Sequence, residues 1–128
     1  TPLAGLLYAA AVGRLDEVAP LRWRAEHAVT VVVASRGYLV SPRTGDVITG
    51  LDDVGEEAYV LHAGTTRTKD GSLVSAGRRV LSVVATGADL VEARARAYVA
   101  IDRITLKGST HRAGIAMAAQ LGEITVAT

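Results

Sequence analysis

Val80-Leu81-Ser82-Val83-Val84-Ala85 is followed, after Thr86-Gly87-Ala88, by Asp89-Leu90-Val91-Glu92-Ala93-Arg94-Ala95-Arg96-Ala97, and between the two the chain changes its period. The first run is apolar, weighted toward valine and short enough for a strand. From Leu90 the apolar residues fall at Leu90, Ala93, Ala97, Ile101 and Ile104, one face of a helix. Asp89 stands where an N-cap belongs, and Glu92, three residues on, fits a capping box in which each side chain serves an orphan amide. Glu92 and Arg96, four apart, add a surface ion pair. A strand that leads into a long amphipathic helix needs a sheet for that helix to cover.

The other strands lie upstream. Arg22 to Ala34 grows rich in β-branched residues, with Val29, Thr30, Val31, Val32 and Val33 in succession, which predicts a central strand covered on both faces. Ser35 to Gly45 reads as a loop, Val47-Ile48-Thr49 as a short strand stopped by Gly50, and Asp52 to Glu57 as a solvated acidic turn. Tyr59, Leu61 and Ala63 alternate with Val60, His62 and Gly64, a strand period. Thr65 to Thr68 and Leu73 to Ser75 flank Lys69-Asp70-Gly71-Ser72, whose Asp-Gly pair suits a hairpin. At the far end a short helix is expected over about Ala113 to Leu121, ending at Gly122 before an apolar tail, Ile124 to Val126.

The chain opens on a helix, with Thr1 as cap, Pro2 at the first helical position, Leu3, Leu6, Leu7, Ala10 and Ala11 as its stripe, and Gly13 as its stop. Leu3, Leu6, Leu7 and Tyr8 exceed what a short helix needs against its own small domain, so it is expected to pack on something larger. The N-terminus then reads as a cut edge, and self-association is expected of the chain alone. The whole is an α+β domain: a small antiparallel β-sheet with a long helix packed on it and an N-terminal helix.

Composition removes several function classes. Lysine and arginine number 14 against 13 aspartates and glutamates, and a net charge of +1 supplies no field for nucleic acid. Hydrophobic residues make up 49% and charged residues 21%, a globular balance rather than a disordered one. The absence of cysteine excludes disulfides and thiolate chemistry and fits a reducing compartment. No apolar run reaches the roughly 18 residues of a membrane span, so no membrane partner is expected, and the reading is a cytoplasmic one.

His27, His62 and His111 are the only histidines and share no helical metal-ligand spacing. His62 alternates with apolar neighbours and reads as a half-buried strand residue. Asp16-Glu17, Asp52-Asp53 and Glu56-Glu57 lie in turns and read as solvated surface, and no Walker loop, nucleophile elbow or dinucleotide fingerprint occurs. Catalytic residues and a metal site are therefore not assigned. Gly77-Arg78-Arg79, at the mouth of an apolar strand, is the constellation with chemistry: forked donors beside a glycine suit a phosphate or carboxylate. Two arginines capping a strand in water fit the same spacing. Because neighbours in a strand point to opposite faces, only one of the two can meet a ligand unless the backbone bends at Gly77.

Val29-Thr30-Val31-Val32-Val33-Ala34-Ser35-Arg36-Gly37-Tyr38, His62-Ala63-Gly64-Thr65, Gly77-Arg78-Arg79-Val80-Leu81-Ser82-Val83 and Ala93 to Tyr98 together resemble the C-terminal domain of the phosphoribosylamine glycine ligase family, within the ATP-grasp superfamily. The resemblance implies a fold of the rudimentary single hybrid motif type, with residues 1–20 as the end of the ATP-grasp domain and residues 21–128 as the C-terminal domain. It implies an enzyme that joins glycine to 5-phosphoribosylamine in purine biosynthesis through a glycyl phosphate, using ATP and magnesium or manganese. The family's metal-binding and nucleotide-binding stretches precede the part that this chain matches, so no cofactor is expected in this chain and its partner is the ATP-grasp core of the same enzyme. In the related formate-dependent glycinamide ribonucleotide transformylase a double arginine similar to Arg78-Arg79 grips the ribose 5-phosphate. The resemblance thus implies a substrate phosphate site at Arg79, Arg78 and Gly77, with Arg79 carried over more directly because the ligases have glycine then arginine. The family's glycine-tyrosine-proline is Gly37-Tyr38-Leu39 here, and its arginine-x-aspartate-isoleucine is Arg112-Ala113-Gly114-Ile115. The other reading is a free-standing, non-catalytic module that binds a phosphorylated ligand or a partner ATP-grasp protein.

Overall fold

The computed structural model describes residues 1–124. In chain order they form α1 (Leu3–Ala11), a single 3-10 turn at Leu15–Glu17, β1 (His27–Ala34), β2 (Ile48–Thr49), β3 (Ala58–His62), β4 (Thr65–Arg67), β5 (Leu73–Ser75), β6 (Arg79–Gly87), α2 (Leu90–Arg103), β7 (Thr105–Leu106) and α3 (Met117–Gln120). The main sheet is antiparallel with order β1-β6-β3, and β2-β7 and β4-β5 are two-stranded additions. This is the α+β architecture expected. Among the described residues no helix is long and apolar enough to cross a membrane.

The long helix starts as its sequence predicts. Asp89 Oδ1 accepts the Glu92 amide at 2.8 Å, and Glu92 Oε2 accepts the Ala88 amide at 2.6 Å, one residue before the cap. Glu92 also pairs with Arg96 at 2.8 Å. Ala93, Ala97, Ala100 and Ile101 are the buried face of α2. Small alanine side chains let the helix settle closely on Val29, Val31, Val33, Leu81, Val83 and Ala85. Val31, Val80, Leu81 and Val83 are fully buried, each stabilising the fold by roughly 1.5–3 kcal/mol relative to exposure.

The position of β1 differs from expectation. β6 is the central strand and β1 flanks it, with Val29, Val31 and Val33 buried while Thr30 and Val32 face outward. α2 covers one face of the sheet only, so the run of β-branched residues does not signal burial on both sides. The hairpin is as expected: Thr65 pairs with Ser75 and Arg67 with Leu73, around Gly71 at φ +87°. Asp70 accepts hydrogen bonds from the hydroxyls of Thr68 and Ser72, which hold its carboxyl below the usual carboxylate range.

Both terminal helices depart from their sequence reading. Pro2, not Thr1, is the N-cap of α1, and no side chain caps it. Thr1 Oγ1 instead accepts the Arg22 amide at 2.7 Å. α3 covers Met117–Gln120 rather than starting at Ala113, because Arg94 takes the carbonyls of Ala113 and Ile115 and Ala116 adopts a left-handed φ of +60°. The apolar tail beyond Ile124 lies outside the described residues.

Candidate functional site

The register of β1 on β6 runs Val32↔Ser82, Val33↔Leu81 and then Ala34↔Arg79, so Val80 is an extra residue in β6. This is a β-bulge, and it reverses the alternation of side chains on its N-terminal side. Val80 and Leu81 are both buried, whereas Arg79 is exposed and shares the outer face with Val32 and Ser82. The bulge at Val80 thus decides the face that Arg79 takes. Arg78 and Arg79 both line a hollow of about 550 Å³, together with Tyr38 and Gly64. Gly77 lies behind them and does not line it.

Three sequence blocks converge to hold this geometry. The Arg78 carbonyl accepts the Ser35 amide at 2.9 Å and the Ser35 hydroxyl at 3.2 Å, and Ser35 is buried. The Val80 carbonyl accepts the amides of Ala63 and Gly64 at 3.0 and 3.2 Å. The Gly64 carbonyl in turn accepts the Ala76 amide at 2.7 Å. A Cβ at Gly64 would sit 2.7 Å from the Arg79 carbonyl oxygen and 2.8 Å from Gly77 Cα, so the two glycines allow a close backbone approach. His62, expected as a half-buried strand residue, is exposed, with Nδ1 3.1 Å from Thr65 Oγ1.

Val32, Tyr38 and Arg79 also line an adjoining cavity of about 750 Å³, whose further walls include Leu39, Val40, His111 and Arg112. Leu39 and Val40 are 83% and 90% exposed, an apolar rim to a cationic mouth. His111 and Arg112 reach this place because Thr110 bridges Ala34, with backbone hydrogen bonds of 2.8 and 3.0 Å. The sequence reading reached Arg112 only through the family's arginine-x-aspartate-isoleucine stretch and gave His111 no role, since nothing in local spacing joins residues 111–112 to the start of β6.

Arg14, Arg24, Arg43 and Arg96 each pair with a carboxylate. Among the described residues the other eight arginines do not: Arg67, Arg94 and Arg103 donate to backbone carbonyls, and Arg22, Arg36, Arg78, Arg79 and Arg112 have neither kind of side-chain partner. Arg79 borders both hollows, Arg78 the smaller and Arg112 the larger, and guanidiniums without a carboxylate partner suit an anion with several acceptor oxygens, such as a phosphate or a carboxylate.

Fold and site together define an α+β domain whose central strand opens on two adjacent arginines beside a surface hollow. Residues 28–118 match the family described as phosphoribosylglycinamide synthetase, C domain, and the chain belongs to that family. It is 64% identical over 120 residues to a phosphoribosylamine–glycine ligase of Streptomyces coelicolor, a match covering 91% of this chain and 29% of that protein. It is 52% identical to the Mycobacterium tuberculosis protein of the same name, over 98% of this chain and 29% of the relative. The crystal structure of phosphoribosylamine–glycine ligase from Thermotoga maritima superposes with a TM-score of 0.67 at 35% identity, covering 84% of this chain and 26% of that one. The chain therefore spans less than a third of the length of these relatives.

Proposed function

We propose that this chain is the C-terminal part of a phosphoribosylamine–glycine ligase, packing on the enzyme's ATP-grasp core and holding the 5-phosphate of phosphoribosylamine with Arg79 and Arg78. The observation that carries the reading is that Arg78 and Arg79 both line one hollow, with no carboxylate partner among the described residues, in a chain of this family. Arg79 offers its fork from the end of the bulge. Arg78, tied to Ser35 through its carbonyl, adds the second cation. Gly77 has a supporting part, packing its backbone on Gly64 so that the pair can share the hollow.

ATP, with magnesium or manganese, would activate the glycine carboxylate in the complete enzyme. Among the described residues no three His, Cys, Asp or Glu side chains stand together as metal donors. In this reading metal and nucleotide fall to the rest of the enzyme. Residues 1–20 belong in the same reading to the end of the ATP-grasp domain, which accords with α1 burying none of its residues against the sheet.

In the complete enzyme, Arg79→Ala should raise the KM for phosphoribosylamine by roughly ten- to a hundred-fold, as expected for loss of a charge-assisted hydrogen bond. The constants for ATP and glycine should hardly move, since only the ribose phosphate loses a partner. Arg79→Lys should recover part of the loss, keeping the charge without the fork. Unchanged phosphoribosylamine kinetics in Arg79→Ala would overturn the reading.

A further inference from the structure

We propose that Arg112 is a further anion ligand of this site, approaching from the side opposite Arg79, and that Arg94 and Tyr98 of α2 are positioning residues that hold it there. The proposal rests on the phosphate-site reading above. Three backbones lie in a row at this point: Arg79 pairs with Ala34, and Ala34 is bridged to Thr110. With adjacent strands about 5 Å apart, Arg79 and Thr110 are about 10 Å apart. Arg112, two residues beyond Thr110, lines the same cavity as Arg79. Two long guanidinium side chains rooted at that separation can close on one phosphoryl group between them. From His111 to Ile115 the chain carries no carboxylate to neutralise Arg112.

The way this segment is held argues for a device rather than a passive loop. Tyr98 Oη donates to the Arg112 carbonyl at 2.5 Å and accepts the Ile115 amide at 3.2 Å. Arg94 donates to the carbonyls of Ala113 and Ile115 at 2.7 and 3.1 Å. The two residues are four apart on α2 and brace each other, with the Arg94 guanidinium carbon 4.8 Å from the Tyr98 ring centre. The ring of His111 lies 5.9 Å from that of Tyr98. Two side chains thus bind four backbone groups of a five-residue stretch that ends on left-handed Ala116. Backbone strain held by so many contacts is characteristic of ligand clamps. In this arrangement α2 does two jobs: its alanine face covers the sheet, and Arg94 and Tyr98 fix the direction from which Arg112 meets the anion.

The test is equilibrium binding of ribose 5-phosphate and of ribose to the complete enzyme, with thermal melting of every variant. Arg112→Ala should weaken ribose 5-phosphate about tenfold and leave ribose unchanged. Arg112→Lys should restore part of the loss. Tyr98→Phe keeps the ring beneath Arg94 and loses both hydroxyl contacts, and it should cost several-fold in ribose 5-phosphate affinity while leaving that for ribose unchanged. If Tyr98→Phe does not fold, Arg94→Gln takes its place. An Arg112→Ala affinity within twofold of the parent, alongside a tenfold loss in Arg79→Ala, would overturn this inference and leave the site reading standing. No loss in either variant would overturn both. Equal losses for ribose and ribose 5-phosphate in Tyr98→Phe would reduce the clasp to a structural support and overturn the positioning role.

Discussion

Replacing Gly64 by alanine sets a methyl group against backbone on two sides. The new Cβ would lie 2.7 Å from the Arg79 carbonyl oxygen, 2.8 Å from Gly77 Cα and 2.9 Å from the Gly77 nitrogen. Non-bonded carbons settle at about 3.5–4.0 Å, so the start of β6 must retreat by roughly half an ångström to one ångström. No side chain can rotate to absorb this, because all three neighbours are main-chain atoms. The retreat pulls on the bonds from Ala63 and Gly64 to the Val80 carbonyl and from Ala76 to the Gly64 carbonyl. Overpacking of this kind costs about 1–3 kcal/mol and a weakened hydrogen bond about 1 more, giving a total of about 2–4 kcal/mol. Urea unfolding should report it as a lower midpoint at unchanged slope. Gly5→Ala is the matching control: that glycine is helical, has nothing within 4 Å, and its replacement should be neutral or stabilise by up to about 1 kcal/mol. A Gly64→Ala protein within about 0.5 kcal/mol of the parent would refute the reasoning, since that is what an unremarkable surface substitution does.

Ala116→Gly should stabilise the fold by about 0.5–1 kcal/mol, since relief of the left-handed strain outweighs the entropy of an added glycine; a lower unfolding midpoint would contradict this. Asp70 has a depressed carboxyl, so its contribution to the hairpin is present above the unfolded-state carboxylate pKa and lost as pH falls through its own lower value. Amide exchange at Gly71 should therefore quicken on strong acidification, and Asp70→Asn should abolish that dependence. Leu3, Leu7 and Tyr8 of α1 are exposed and should drive self-association of the chain purified alone, seen as dimers or larger species in sedimentation, and a clean monomer at high concentration would count against it.

What could be read in advance was local. Asp89, Glu92 and Arg96 announce α2 because capping and ion pairing act over three or four residues, and Asp70-Gly71 announces the hairpin for the same reason. Edge and centre are not local properties: Val29 to Val33 would suit either, and what decided was which strand β6 chose as its second neighbour. The parts played by Arg94 and Tyr98 were not legible, because their partners are backbone groups 14 to 21 residues away, which carry no side-chain signature. The same non-local bonds shortened α3. At the candidate site, Gly77-Arg78-Arg79 was visible as a cluster, while its second wall at Arg112 depended on the bridge from Thr110 to Ala34.

A strand can be thought of as a text read in alternating letters, and the extra residue at Val80 is an insertion that shifts its frame. Counted back from Val83 and Leu81 by strict alternation, Arg79 would fall on the side of α2 and its charge would be pressed against alanines. In the shifted frame that inner place goes to a valine, and the arginine is read out on the opposite side. Any comparison of arginines between relatives at this position must therefore first establish whether each one keeps the insertion, because the same two letters spell a buried charge in one frame and an exposed one in the other.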